Sequence, residues 1–254
     1  LELAIDLLNE INTFELSAYT PIRFKNKNIG WLNNKTILKN SLTTNNDYIK
    51  YSELDEFIKN LEKNQSSTEN CPVFLFPSLK PKKVFSETAK FCNENIFIIK
   101  RNLLSLFGLP SYGVHCNVWR KHKDKFIIYF AKRAKKLKSF PCYIDNTVAG
   151  GQPTNLSIFE NLKKEAYEEA GISGKYLKKV QRGNIVSYFH NNNDDFISAV
   201  IFNYHLNKVD ELELKNIDGE VESFFSLTLE NKYKLLEKNQ LKPNCIIPIL
   251  DFIL

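Results

Sequence analysis

The sequence predicts an α/β protein, an α/β/α sandwich around a mixed sheet over residues 109–254, preceded by a small α+β accessory domain over residues 1–108. Three observations predict it. Strand-like apolar runs lie on either side of one well-delimited helix at residues 157–171, with a second helix near the end, an order that covers both faces of a sheet. Polar tips at residues 120–124 and 191–194 split longer runs into hairpin pairs. Before residue 108, short strand and helix patterns alternate and are cut by polar breakers.

Taken in order, Leu3, Ile5, Leu7, Leu8 and Ile11 give residues 1–15 an amphipathic helical pattern. Residues 19–31 read as a hairpin turning at 25–28, and residues 37–40 and 51–61 as short helices. Residues 64–70 and the stretch around Pro77 and Pro81 read as loop. A strand is expected at 96–100 and a helical turn at 102–107, stopped by Gly108 and Pro110. Residues 112–119 and 125–130 form the next hairpin. Strands at 183–189 and 196–206, a helix at 229–241 and a last strand at 246–253 complete the chain.

Bulk properties narrow the function classes. The 254 residues are 43% hydrophobic and 25% charged, an ordinary globular composition long enough for one large or two modest domains. No run approaches the ~20 apolar residues of a membrane span. The opening Leu-Glu-Leu-Ala-Ile-Asp has no basic segment followed by an apolar core, so a cytoplasmic protein is expected. Cys71, Cys92, Cys116, Cys142 and Cys245 are scattered without a C-x-x-C pair, which suggests small buried residues rather than a disulfide framework or a zinc site. The net charge of +6 is mild and points to an anionic ligand without establishing nucleic-acid binding; a small molecule is the expected partner and a nucleic acid is not. Oligomeric state is not legible.

Chemistry concentrates at residues 150–172. Ser157 and Glu160 make a capping box, and Gly171 is placed to close the helix in the left-handed conformation. At roughly 100° per residue, Ile158, Phe159, Leu162, Ala166 and Ala170 share one arc, and Glu165, Glu168 and Glu169 the arc beside it. Like charges three and four residues apart repel, and anions in a last turn oppose the helix dipole. A hard divalent cation, Mg2+ or Mn2+, would relieve both. The alternative is a solvated acidic face. The pair Gly150-Gly151 is expected to form a tight turn whose backbone lies against this edge.

These residues resemble the Nudix box, G-x5-E-x7-R-E-U-x-E-E-x-G-U with U an aliphatic residue. Gly150, Glu165, Ala166, Glu168, Glu169, Gly171 and Ile172 match it without a gap, while Leu156 replaces the early glutamate and Lys164 the arginine. The wider stretch from Asp145 to Gly151, with Glu160, is similar to a branch whose members carry an N-terminal thiamin pyrophosphokinase-related domain and also lack the early glutamate. The resemblance covers roughly the C-terminal 150 residues. It implies hydrolysis of a small organic diphosphate, with thiamin diphosphate or its damaged analogues as the suggested substrate.

It also implies roles. Glu165, Glu168 and Glu169 would be metal ligands, Glu168 or Glu220 the base that takes a proton from water, and Arg133 and Lys138 diphosphate contacts, with Gly150 and Gly151 lying against the substrate. Glu222 is the second choice beside Glu220. The basic run Lys132, Arg133, Lys135, Lys136 and Lys138 also reads as a solvated loop or a nucleic-acid patch, and Asp218 to Glu222 as a charged turn. His115 and Trp31 read as core residues or substrate contacts, and Trp119 and Phe140 as aromatics that could meet a ring. Hydrolysis of nucleoside diphosphate derivatives or capped RNA, and a binding module without catalysis, are the alternative functions.

Overall fold

The computed structural model describes residue 9 and residues 15–45, 47–64, 69–74, 95–192, 195–229 and 240–253. The helices expected at 1–15 and 229–241 fall almost wholly outside them, as do the Pro77 and Pro81 loop and part of the turn at 191–194.

The N-terminal part opens on the antiparallel hairpin β1 (Tyr19–Phe24) and β2 (Lys27–Asn33). Helix α1 (Asn34–Lys39) follows directly, its cap Asn33 accepting a hydrogen bond from the Lys35 N–H. Strand β3 (Ile49–Lys50) pairs in parallel with β1 and leads into α2 (Tyr51–Lys63). Strands β4 (Asn70–Val73) and β5 (Phe97–Lys100) form a separate antiparallel pair. Ile22, Leu32, Ile49, Leu54, Ile58, Val73, Ile99 and Phe107 are buried together in a core of their own. Alternation along β1 and helical spacing along α2 aim these side chains at one another.

The remainder is built on one sheet of seven strands. Its path runs β10 (Gln181–Asn192), β11 (Asp195–Asn207), β6 (Pro110–His122), β7 (Lys125–Arg133), β12 (Val221–Thr228). Short β8 (Ile144–Asn146) pairs with β7, and β9 (Val148–Gly151) with β6. The sheet is mixed, because β6 and β11 run parallel while the other pairs are antiparallel.

Strand β6 explains the layers. Tyr112, Val114, Cys116 and Val118 face α3 (Ile158–Ala170) and pack with Leu162, Ala166, Phe202 and Tyr204. The other face of the sheet is covered by the C-terminal segment, where Ile128, Phe130 and Ile144 meet Leu241, Cys245, Ile246 and Ile249. Residues 246–253, expected as a strand, form helix α5 (Ile246–Ile253). Pro243 begins a 3-10 turn that leads into it, and Pro248 lies within its first turn, where a missing N–H costs no helical hydrogen bond. A short α4 (Gly174–Leu177) links α3 to β10.

The β6 positions facing α5 include His115 and Asn117, which are buried and therefore need partners. His115 Nδ1 lies 2.7 Å from Asn146 Oδ1, Asn146 donates to Asn117 Oδ1, and Asn117 donates to the Pro248 carbonyl. Burial pushes the His115 imidazole down to about 4, so it is neutral at pH 7. Its place is that of a satisfied core histidine.

Helix α3 has the ends its sequence specifies. The Ser157 hydroxyl accepts from the Glu160 N–H, the Glu160 carboxylate accepts from the Ser157 N–H, and Gly171 closes the helix at φ 66°. A Cβ on Gly171 would also come within 2.9 Å of the Lys215 carbonyl. Gly171→Ala is expected to lower stability by about 1–2 kcal/mol for the left-handed conformation alone, read as a fall in the urea midpoint at unchanged m-value.

Candidate active site

The two consecutive glycines lie in an extended strand rather than the expected turn. Gly150 pairs with Val114 and Gly151 with Gly113, which holds them in β9. Their use lies in what they leave out. A Cβ on Gly150 would land on the Glu165 carboxylate, and a Cβ on Gly151 on the Arg101 guanidinium. The strand thus admits an anion against one residue and a cation against the next. Two more hydrogen bonds fix the entry to α3: Asn161 Nδ2 donates to the Gly151 carbonyl, and Gln152 Nε2 to the Leu156 carbonyl.

Along α3 the three glutamates have three different environments, whereas the helical spacing treats them as one exposed edge. Glu169 is buried, 7% exposed, and accepts from the Ala149 N–H at 2.7 Å. Burial raises its carboxyl to about 8; the Ala149 N–H opposes the rise, as does Lys242, while Asp145 and Glu165 add to it. Glu165 is largely covered, and burial raises its carboxyl against the pull of Lys164. Glu168 is the most open of the three. Its backbone carbonyl accepts from the N–H groups of Ile217 and Asp218, which docks the acidic 216–220 loop on the end of the helix. There Glu220 is exposed, its N–H bonded to Asp218 and its carbonyl to the Ala134 N–H. Glu222 pairs instead with Lys132 at 2.9 Å.

Lys164, at the place of the box arginine, puts its ammonium 3.1 Å from Glu165 and 2.8 Å from Glu168. A monovalent cation therefore bridges two of the carboxylates. The ammonium stands where a Mg2+- or Mn2+-like ion could take the oxygens of Glu165 and Glu168, while the ligand atoms of Glu165, Glu168 and Glu169 do not all lie within 4.8 Å of one another.

The basic run divides. Arg133 uses its guanidinium inside its own loop: Nη1 to Asp145 at 3.1 Å, Nη2 to the Ser139 carbonyl and Nε to the Phe140 carbonyl. These bonds hold a segment in which Phe140 and Cys142 have positive φ. Lys138 is exposed on that segment. Cys142 is exposed as well, against the expectation of a buried residue, while Cys71, Cys116 and Cys245 are buried and Cys92 is outside the described residues.

Two groups near the site have partners that the sequence did not signal. One is Asp145, fully enclosed, which takes Lys242 at 3.0 Å and Arg133 on Oδ2, and the Cys245 thiol and the Asn146 N–H on Oδ1. Burial would raise its carboxyl, yet Lys242 above all holds it well below the usual range. Among the described residues, one trio of potential metal-ligand side chains has ligand atoms all within 4.8 Å of one another, and it is His115, Asp145 and Cys245. With both Asp145 oxygens satisfied and two cations present, it is a structural charge cluster. The other group is Arg101, joined through Nε and Nη2 to both oxygens of Glu69. A basic pair after an apolar strand does not announce that role.

Trp31 is partly buried, its ring 6.1 Å from Phe196. Trp119 packs against Phe126 and Phe252, and Phe140 against Tyr143 on the exposed loop. A cavity of about 240 Å3 beside Trp31 is lined also by Gly30, Pro110, Phe189 and Val200. No described helix is long and apolar enough to cross a membrane.

Comparison with known proteins brings the same family forward. No family model matches the chain. It is 34% identical over 158 residues to Nudix hydrolase 20, chloroplastic, of Arabidopsis thaliana, covering 62% of this chain and 42% of that protein. It is 32% identical over 158 residues to Nudix hydrolase 24, chloroplastic, of the same plant, covering 62% and 43%. The chain spans less than half the length of these relatives. Among solved structures, DR0079 of Deinococcus radiodurans superposes with a TM-score of 0.47 at 14% identity over 63% of this chain and 93% of that one. Over this matched stretch the chain is similar to two plant proteins named as Nudix hydrolases.

Proposed function

We propose that the chain is a metal-dependent pyrophosphohydrolase that cleaves a small organic diphosphate with water to give a monophosphate and phosphate. The observation that supports this reading is the edge of α3, where Glu165 and Glu168 both meet the Lys164 ammonium, the Glu169 carboxylate accepts from Ala149 of β9, and Gly150 leaves the strand bare beside Glu165. Glu165, Glu168 and Glu169 would hold Mg2+ or Mn2+. That ion would neutralise phosphoryl oxygens and make a bound water more acidic.

The chain's own residues do the rest. Glu168, the most open of the three, is the nearest candidate to take the proton from water, and Glu220 on the docked loop is the second. Lys164 yields its carboxylates and is then free to meet phosphate oxygens. Lys138 is open to the same use, and Arg133 would reach an anion only by leaving Asp145. Thiamin diphosphate or its damaged analogues are the substrates first in line, and residues 1–108 are read as the accessory domain. A cytoplasmic setting belongs to the same proposal.

A panel of thiamin diphosphate, its oxidised analogues, nucleoside diphosphate derivatives and capped RNA, each with Mg2+ and with Mn2+, tests it. Metal-dependent release of a monophosphate from one class is the expected result, and that class decides between the thiamin and nucleotide readings. Tight binding without turnover would replace the enzyme by a binding module, a reading favoured by the lysine that holds both carboxylates.

A further inference from the structure

We propose that Arg101, aimed by Glu69, is the phosphate-binding cation of the α3 site, so that the segment before the seven-stranded sheet supplies part of the substrate's grip. The inference rests on the diphosphate reading above. Three features of the structure lead to it.

The first is placement. Arg101 follows β5, and its guanidinium lies at Gly151, the last residue of β9, on the other side of the strand from the Gly150 position that receives Glu165. The two side chains are close enough for the Glu165 carboxylate to favour the charged guanidinium, though less than Glu69 does. A diphosphate whose oxygens are drawn to the Glu165 edge would present its remaining anionic oxygens to this neighbour.

The second is orientation. Glu69 accepts from Nε and Nη2, and its carbonyl accepts from the Arg101 N–H at 3.1 Å. This fixes the plane of the fork and leaves the Nη1 side to meet a ligand. A guanidinium held in one plane loses little freedom on taking a phosphate bidentately. Glu69 acts through Arg101 and is a positioning residue.

The third is the disposition of the other cations. Lys164 is engaged by the carboxylates that the metal would claim, Arg133 by Asp145, Lys132 by Glu222 and Lys242 by Asp145, while Lys138 is exposed on the loop after β7. Arg101 is also paired, but Glu69 takes only Nε and Nη2. Arg101 is the guanidinium already seated on the strand against which the substrate would lie. The glycine at 151 is what allows it, since any side chain there would expel the fork.

The test uses methylenediphosphonate, a diphosphate analogue that resists hydrolysis, titrated calorimetrically into the full chain with Mn2+ present, and Mn2+ titrated alone. Arg101→Gln is expected to weaken diphosphonate binding by about 10- to 100-fold, the range of a charge-assisted hydrogen bond pair, with Mn2+ affinity unchanged. Arg101→Lys should recover part of the loss, and Glu69→Gln, which loosens the aim but keeps the cation, should fall between. A purely structural Arg101 would show a lower melting temperature and unaltered diphosphonate affinity in Arg101→Gln, and that result overturns the proposal. The two readings fail separately. If the wild type turns over a diphosphate and Arg101→Gln matches it in KM and in diphosphonate affinity, the Arg101 role is wrong. If nothing is turned over yet diphosphonate binding depends on Arg101, the hydrolase reading is wrong and this one stands.

Discussion

Glu169→Gln should make the protein more stable at alkaline pH while removing its affinity for divalent metal. The first half follows from burial. The Glu169 carboxyl titrates at about 8 in the folded protein, where burial, Asp145 and Glu165 resist its charge and the Ala149 N–H and Lys242 support it. Unfolded, it would titrate near the ordinary ~4.3 of glutamate. A folded-state value above the unfolded one contributes stability that is complete below about pH 4 and is lost as pH rises through about 8. Glutamine keeps an oxygen for the Ala149 N–H and has no proton to lose, so this slope disappears. At about 1.4 kcal/mol per pH unit, the variant gains a few kcal/mol over the wild type at pH 9 and little at pH 4. The second half follows from coordination, because a ligand carboxylate must be ionised. Wild-type metal affinity should climb with pH up to about 8 and then level, whereas Glu169→Gln should bind weakly at every pH. Urea titrations and metal titrations at pH 6 and 9 measure the two halves independently.

Asp145→Ala is expected to cost about 3–5 kcal/mol, the range for leaving a buried charge without its partner. Lys242 and Arg133 would both lose the carboxylate that holds them, and with it the ties between β8, the 139–143 loop and the segment entering α5. Asp145→Ala combined with Lys242→Met removes both charges of the closest pair and should recover a good part of the loss. The pH dependence has a definite sign. Asp145 is held below its ordinary range, so its contribution is present above ~3.9 and disappears under acid. Lys242 is raised, chiefly by Asp145 against the cost of burial, so its contribution is complete below ~10.4 and is lost above that. Between these limits the Asp145–Lys242 pair itself should add no slope, whereas His115, lowered to about 4 by burial, contributes stability that is lost as pH falls below ~6.5. A double-mutant cycle at pH 7 and a denaturation series from pH 3 to 10 check both statements.

What could be read from the sequence was local. The limits of α3 depend on Ser157, Glu160 and Gly171, each acting within a few residues, and the structure has those caps. Hairpin strands on either side of polar tips were legible for the same reason. The last segment was misread because Ile-Ile-Pro-Ile-Leu-Asp-Phe-Ile is apolar at nearly every position, and a short apolar run fits a buried strand as well as a buried helix. Reading Pro243 as a helix-starting residue would have decided it. Spacing placed the glutamates on one edge but could not tell that β9 passes close enough to bury Glu169 and cover Glu165. Distant pairings were out of reach altogether: Asp145 and Lys242 are 97 positions apart, and Glu69 and Arg101 are 32. The same limit applies to Arg133, whose charge suggested an anion and whose partner proved to be Asp145.

The edge of α3 is proposed as a divalent-cation site serving diphosphate chemistry. Titration of Mn2+ into the wild type and into a Glu165→Gln, Glu168→Gln double variant, followed by the loss of the free-ion paramagnetic resonance signal, tests it directly. Saturable binding by the wild type, displacement by Mg2+, and a loss of at least about tenfold in the variant at equal thermal stability are expected, consistent with two ionised oxygen ligands removed. Binding that is the same in both proteins would place the metal elsewhere and contradict the account.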